Sequence, residues 1–303
     1  MKPLLKKIGK WALIGVSAIG LSVTGFVLWH VHKYDQSTTM VYDVALVELP
    51  KRDDAAALER GKHLADSLGE CTICHGAGMA GGRVEPMGPL GRIVIPNASP
   101  GGRLKAYSDA ELARLIRHGV KRDGTTVRLM PANVNSWWPD EDVAALIAWL
   151  RARPAISGDS GVFEVSAMAK VLDRFDSIPI DVARRIDHAR IGKSPAPAAN
   201  AVYGAFVGTS CRGCHAPTLA GGPIPGAPPG MAVPLNLTRH ETGLKSWSYD
   251  DFKALVQSGK RKNGKPLDAF MPVDSLRAMN EVELSALWLY LQSVPPRAFG
   301  ERE

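Results

Sequence analysis

The chain has 303 residues, 45% hydrophobic and 22% charged, which excludes a fibrous chain, a largely disordered one and a multi-span membrane protein. That length is about twice one compact domain, so two modules with extra segments are expected. Lys and Arg total 37 against 30 Asp and Glu, a net charge of +7, and the four cysteines are too few to staple a fold of this size.

In chain order the first element is an apolar helix. Trp11 to Val31 contains no Lys, Arg, Asp or Glu, and its 21 residues would form a helix about 30 Å long, the thickness of bilayer hydrocarbon. The exit reads LWHVHKYDQ, without a small-x-small cleavage pattern, which favours an uncleaved anchor. Trp11 and Trp29 lie near its ends, and Lys2, Lys6, Lys7 and Lys10 mark the amino-terminal side as cytoplasmic, so everything after Lys33 is exported. Residues 1–34 hold five basic and no acidic side chains, which leaves 32 basic against 30 acidic, or +2, in the rest. Nucleic-acid binding thereby loses its support. His30 and His32 read as interfacial polar residues, because a single helix offers no second histidine-bearing span for a membrane haem or quinone site.

The cysteines fall in two pentapeptides, Cys71-Thr72-Ile73-Cys74-His75 and Cys211-Arg212-Gly213-Cys214-His215, 140 residues apart. A lone Cys-x-x-Cys suits a redox disulfide or half a zinc site, but neither needs a histidine immediately after it. Two thiols on one helical turn can add to the two vinyl groups of haem, and the following histidine then lies beneath the iron. The pattern therefore indicates two covalently bound haem c groups, held by Cys71, Cys74, Cys211 and Cys214, with His75 and His215 as proximal ligands.

The repetition extends beyond the motif. Met79-Ala80-Gly81-Gly82 matches Leu219-Ala220-Gly221-Gly222, and Leu104, Tyr107, Ser108, Gly119 and Gly124 match Leu244, Trp247, Ser248, Gly259 and Gly264. Ser108 with Glu111, and Ser248 with Asp251, predict capped helix starts. Closing helices are predicted from about Asp140 to Arg151 and Glu281 to Gln292, stopped by Pro154 and Pro295, with Trp149 and Tyr290 matched on their core faces. Between the halves lies an apolar, helix-like piece around Phe163 to Phe175 and a linker, KSPAPAAN, that could brace the two domains.

The repeat also tests candidates for the sixth iron ligand. Met79 faces Leu219, Met87 faces Ala227, Met231 faces Gly91, Met279 faces Trp138, His63 faces Tyr203, His118 faces Ser258 and His240 faces Pro100. Only Met130 and Met271 persist, each followed by proline and lying 55 or 56 residues after its histidine. Proline disfavours helix before it, so each thioether can be presented from an extended loop. The run Lys260-Arg261-Lys262 with Lys265 reads as a solvated face or, more sharply, as a docking patch for an acidic partner. The sequons at Asn97 and Asn236 read as structural loops.

These residues resemble the small helical monohaem cytochrome c domain, here in tandem behind a membrane anchor, over about 200 of the 303 residues. Within that family, Asn236-Leu237-Thr238 to Trp247-Ser248, with Gly259, Gly264 and Met271-Pro272, look most like the cytochrome subunits of membrane-bound dehydrogenases that oxidise alcohols, sugars or sugar acids. Pro96-Asn97-Ala98-Ser99 to Tyr107-Ser108 is a weaker version. Those subunits commonly carry three haem domains, whereas this chain has two.

The expected architecture is all-α: an anchor (1–34), a tether (35–54), a first cytochrome c domain (55–155), a linker (156–198) and a second cytochrome c domain (199–303). The resemblance implies an electron carrier rather than an enzyme, in the bacterial inner membrane with its haem domains in the periplasm, passing electrons from a dehydrogenase to quinone or a terminal oxidase. A haem-bearing subunit of a haem-copper oxidase shares this plan and differs in its partner. A dihaem peroxidase needs a vacant iron, which the matched Met130 and Met271 argue against.

Overall fold

The computed structural model describes all residues except 1, 86, 159, 160, 226, 228, 229 and 303, and of residues 2–6 the backbone alone. Its first helix, α1 (Lys2–Thr39), carries the apolar run, with Trp11 and Leu21 70% and 75% exposed. The most apolar window has a mean hydropathy of 1.9 and none of it is buried against the rest of the chain. The helix runs past residue 34 because HKYDQSTT contains no Pro or Gly, and the Thr38 and Thr39 hydroxyls donate back to the Tyr34 and Asp35 carbonyls. Tyr34 is buried with Leu90, Ala169 and Ile180, so the far end of α1 is docked on the body of the protein. Residues 40–54 follow without regular secondary structure.

Two units of the same plan come next. The first comprises α2 (Ala55–Asp66), α3 (Cys71–His75), β1 (Val84–Glu85), β2 (Gly91–Val94), α4 (Asp109–His118), α5 (Ala132–Asn135) and α6 (Asp140–Arg151). After β3 (Val162–Val165) and α7 (Ala167–Arg174), the second comprises α8 (Ala201–Val207), α9 (Cys211–His215), α10 (Tyr249–Ser258), α11 (Val273–Ala278) and α12 (Glu281–Ser293). Both expected capping boxes are formed: the Ser108 and Ser248 hydroxyls accept from the backbone N–H three residues on, and the Glu111 and Asp251 carboxylates accept from the cap N–H. Asn280 and Glu283 make a third, at the start of α12.

In each unit the opening helix crosses the closing one, α2 against α6 and α8 against α12. A Cβ on Gly61 would stand 2.1 Å from the Ala145 carbonyl oxygen, and one on Gly204 1.9 Å from that of Ala286, so only glycine permits the approach. Trp149 and Tyr290 lie against these glycines and are buried, as their apolar faces imply. Buried side chains from Leu64 to Leu291 form one continuous core through both units.

The chain is mostly helical but not all-α. A three-stranded antiparallel sheet, order β1-β2-β3, pairs Gly91 with Val165, Ile93 with Phe163 and Val94 with Val162. Residues 163–165, which read as helix-like, are therefore strand; with only four residues in β3, helical and strand periodicities are not distinguishable, and its β-branched valines pair readily. The segment between the units thus adds a strand to the first unit and lays α7 along α1.

Candidate haem-binding sites

The sites begin with α3 and α9, five-residue helices in which the two cysteines share one turn and the histidine ends it. The His75 Nδ1 lies 3.0 Å from the Pro96 carbonyl oxygen and the His215 Nδ1 2.7 Å from that of Leu235. A carbonyl can only accept, so Nδ1 carries the proton and Nε2 keeps its lone pair for a metal. Burial lowers the pKa of both rings, each held up in part by that hydrogen bond, and favours the neutral imidazole.

The carbonyls are positioned by a loop that recurs in both units. Asn97 and Asn236 are each 2% exposed; their side-chain oxygens accept from Ser99 N–H and Thr238 N–H at 2.9 Å. Their amides donate to the carbonyls of Ile156 and Gly158, and of Arg297. The sequons are thus buried structural turns. Gly81 and Gly221, at φ 66 and 72, donate to the His75 and His215 carbonyls, and a Cβ at either would meet the facing loop backbone at 2.3 or 2.5 Å.

Met130 and Met271 occupy equivalent loop positions. The Met130 carbonyl accepts from Ala132 N–H and the Met271 carbonyl from Val273 N–H, both at 2.8 Å, which makes an inverse γ-turn over the intervening proline. Pro131 and Pro272 then cap α5 and α11. Both methionines, like Cys71 and Cys211, are partly buried against the shared core. Competing candidates are engaged elsewhere: Met79, like Leu219, is buried in the core; His63 contacts Glu283, His118 pairs with His188, and His240 bonds Thr242.

All four cysteines are unpaired thiols, and burial pushes Cys71 up to about 12 and Cys211 up to about 11. A redox Cys-x-x-Cys requires the opposite shift. Two thiols on a turn, a neutral imidazole with a free Nε2 and a loop thioether together fit haem c.

The two attachment motifs meet at their amino-terminal ends. Glu70 and Ser210, the residues before the first cysteine of each motif, hydrogen-bond one another. Nearby, His63 Nε2 on α2 reaches the Glu283 carboxylate on α12 at 2.8 Å, while Arg60 forms a two-pronged pair with Asp142 at 2.8 Å and approaches Glu283 at 3.7 Å. Neither this network nor Gly61 and Gly204 emerged from the 140-residue comparison, because the equivalent glycines are 143 residues apart: the stretch from the helix glycine to the first cysteine is three residues shorter in the second unit. Matching the two helices by their glycines would have found them.

Residues 56–150 match the family described as cytochrome c oxidase, cbb3-type, subunit III. The chain is 28% identical over 85% of its length to the cytochrome c subunit of alcohol dehydrogenase (quinone) from Gluconacetobacter polyoxogenes, covering 60% of that protein. It is 25% identical over 80% of its length to the fructose dehydrogenase cytochrome subunit of Gluconobacter japonicus, covering 53% of it. A diheme cytochrome c-type protein of Cereibacter sphaeroides is 35% identical over 34% of this chain and 38% of its own length. The chain thus spans little more than half the length of the first two relatives. Its attachment motifs and free imidazole nitrogens fit covalently bound haem c, and the chain is similar to the cytochrome c subunits of dehydrogenases.

Proposed function

We propose that the protein is a membrane-tethered dihaem cytochrome that relays electrons from a dehydrogenase partner to quinone or a terminal oxidase. The observation that carries this reading is the duplicated site, in which His75 and His215 are each fixed through Nδ1 by a backbone carbonyl, in a chain similar to dehydrogenase cytochrome subunits over most of its length. When bound, haem c supplies a one-electron ferrous–ferric couple. Cys71 and Cys74, with Cys211 and Cys214, would hold it by thioethers, and His75 and His215 would offer Nε2 to the iron. Met130 and Met271 would complete the coordination; a neutral thioether favours the ferrous state and raises the potential. The Glu70–Ser210 contact joins the two attachment motifs, which supports reading them as consecutive stations. The apolar run of α1 would anchor the chain in a bacterial inner membrane with both units in the periplasm, as Lys2, Lys6, Lys7 and Lys10 direct.

Haem content per chain and the methionine-to-ferric-iron absorption band test this. Two haems per chain are expected, one after Cys211→Ala with Cys214→Ala. Met271→Ala should remove the band contributed by the second site alone, and an unchanged spectrum refutes the ligand assignment. The match of residues 56–150 favours a second partner, the core of a haem-copper oxidase. Purification in mild detergent distinguishes them by which subunits stay bound, and rapid peroxide turnover by the reduced protein would overturn the carrier reading.

A further inference from the structure

The outer end of α1 and the short helix α7 are one body. Lys170 of α7 binds Asp35 at 2.7 Å and lies 5.6 Å over the Tyr34 ring, and the Ser37 hydroxyl donates to the Asp181 carboxylate. Further along α7 the contacts move back down α1: Phe175 lies 4.9 Å from the His30 ring and stacks on Phe26, centroids 6.2 Å apart and 17° from parallel. The carboxyl end of α7 therefore points towards the apolar run, antiparallel to α1. Phe26 lies five residues inside the end of that run at Val31, about 7 Å along the helix axis. Phe175 is nonetheless 56% exposed. Lys33 and Arg174 line the same open concavity just outside this level, where lipid phosphates lie.

We propose that the tip of α7, led by Phe175, inserts into the bilayer leaflet that α1 leaves, as a second membrane contact that fixes the tilt and rotation of the first unit on the surface. This rests on the reading of α1 as an anchor. An apolar ring aligned with a spanning helix several ångströms below its polar boundary has lipid as its natural occupant, and side chains at such depth bind by burying apolar area. A tethered unit would rotate freely; a unit docked through Tyr34 and held by Phe175 presents one constant face to the membrane.

The test uses the haem-loaded full chain in phosphatidylcholine–phosphatidylglycerol nanodiscs, with a spin label on one introduced cysteine and collisions measured against oxygen and a water-soluble nickel chelate. Labels at Phe175→Cys and at Ser177→Cys, which leaves the phenylalanine in place, should show an oxygen-to-nickel ratio several-fold above that of Met168→Cys, one helix length further from the apolar run. A Phe175 or Ser177 label as nickel-accessible as Met168 overturns the proposal while a lipid-like Leu21→Cys label upholds the anchor. An aqueous Leu21 label overturns both. Retention of the haem spectrum in each variant confirms that the unit is folded.

Discussion

In the first unit the Pro96 carbonyl holds His75, and in the second the Leu235 carbonyl holds His215; each loop is pinned by a buried asparagine, and each methionine sits in a γ-turn before a capping proline. Away from the pocket the resemblance is partial. The basic loops correspond, with Lys262 binding Asp251 at 2.6 Å where Arg122 approaches Glu111 at 3.4 Å, but the first unit has a three-stranded sheet, docks on α1 and pairs His118 with His188, whereas the second has Ser258 in place of His118. The interior is held constant because carbonyl, thiol and thioether must meet one geometry. The exteriors differ because their neighbours do: the first unit packs against the end of α1.

The strongest way to break this symmetry is Gly204→Val. Its side chain would enter a helix crossing where even a Cβ would lie 1.9 Å from a carbonyl oxygen, so we expect at least about 3 kcal/mol of destabilisation and loss of haem from the second site. Because the core is continuous, denaturant unfolding of the variant should still show one transition; two separated transitions would mean that the units fold independently. Next comes Glu283→Ala. Its first-unit counterpart Asp142 holds Arg60 within that unit, but Glu283, 1% exposed, reaches across to His63 and Arg60. Removing the carboxylate from His63 and leaving Arg60 to Asp142 alone should cost about 3 kcal/mol of unfolding free energy in denaturant titration, and an effect no larger than that of Asp142→Ala would deny Glu283 its bridging role.

A smaller effect separates the units by pH. Burial, and then His188, depresses His118 from 6.5 to about 4. The folded protein keeps this ring neutral while the unfolded chain takes up a proton. Its contribution is complete above pH 6.5 and is lost as pH falls towards 4. His118→Ser, which installs the residue of the second unit, should flatten the fall of stability across that window in equilibrium denaturation; an unchanged slope would place the acid sensitivity elsewhere. The smallest expected change is also the most symmetric: Ser108→Ala and Ser248→Ala each remove one capping box and should cost about 1 kcal/mol, equally in the two units.

Both capping boxes, both closing helices and the core positions of Trp149 and Tyr290 were legible in the sequence because each follows from contacts within a few residues or from a face of one helix. The sheet was not, since β3 finds its partner about seventy residues earlier and is too short to show a period. Equally hidden were the carbonyls of Pro96 and Leu235: a backbone acceptor has no residue type, and only the path of the loop brings it to a histidine.

By itself the sequence determined the chemistry: thiols one turn apart with a histidine after them, twice, behind an apolar run of bilayer length. These features depend on covalent spacing and side-chain type, which folding does not alter. Tertiary structure alone decided which imidazole nitrogen is free, how closely the opening and closing helices approach, that Glu70 meets Ser210, and that α7 lies along α1. Each of these is a contact between residues far apart in the chain, set by how the helices pack.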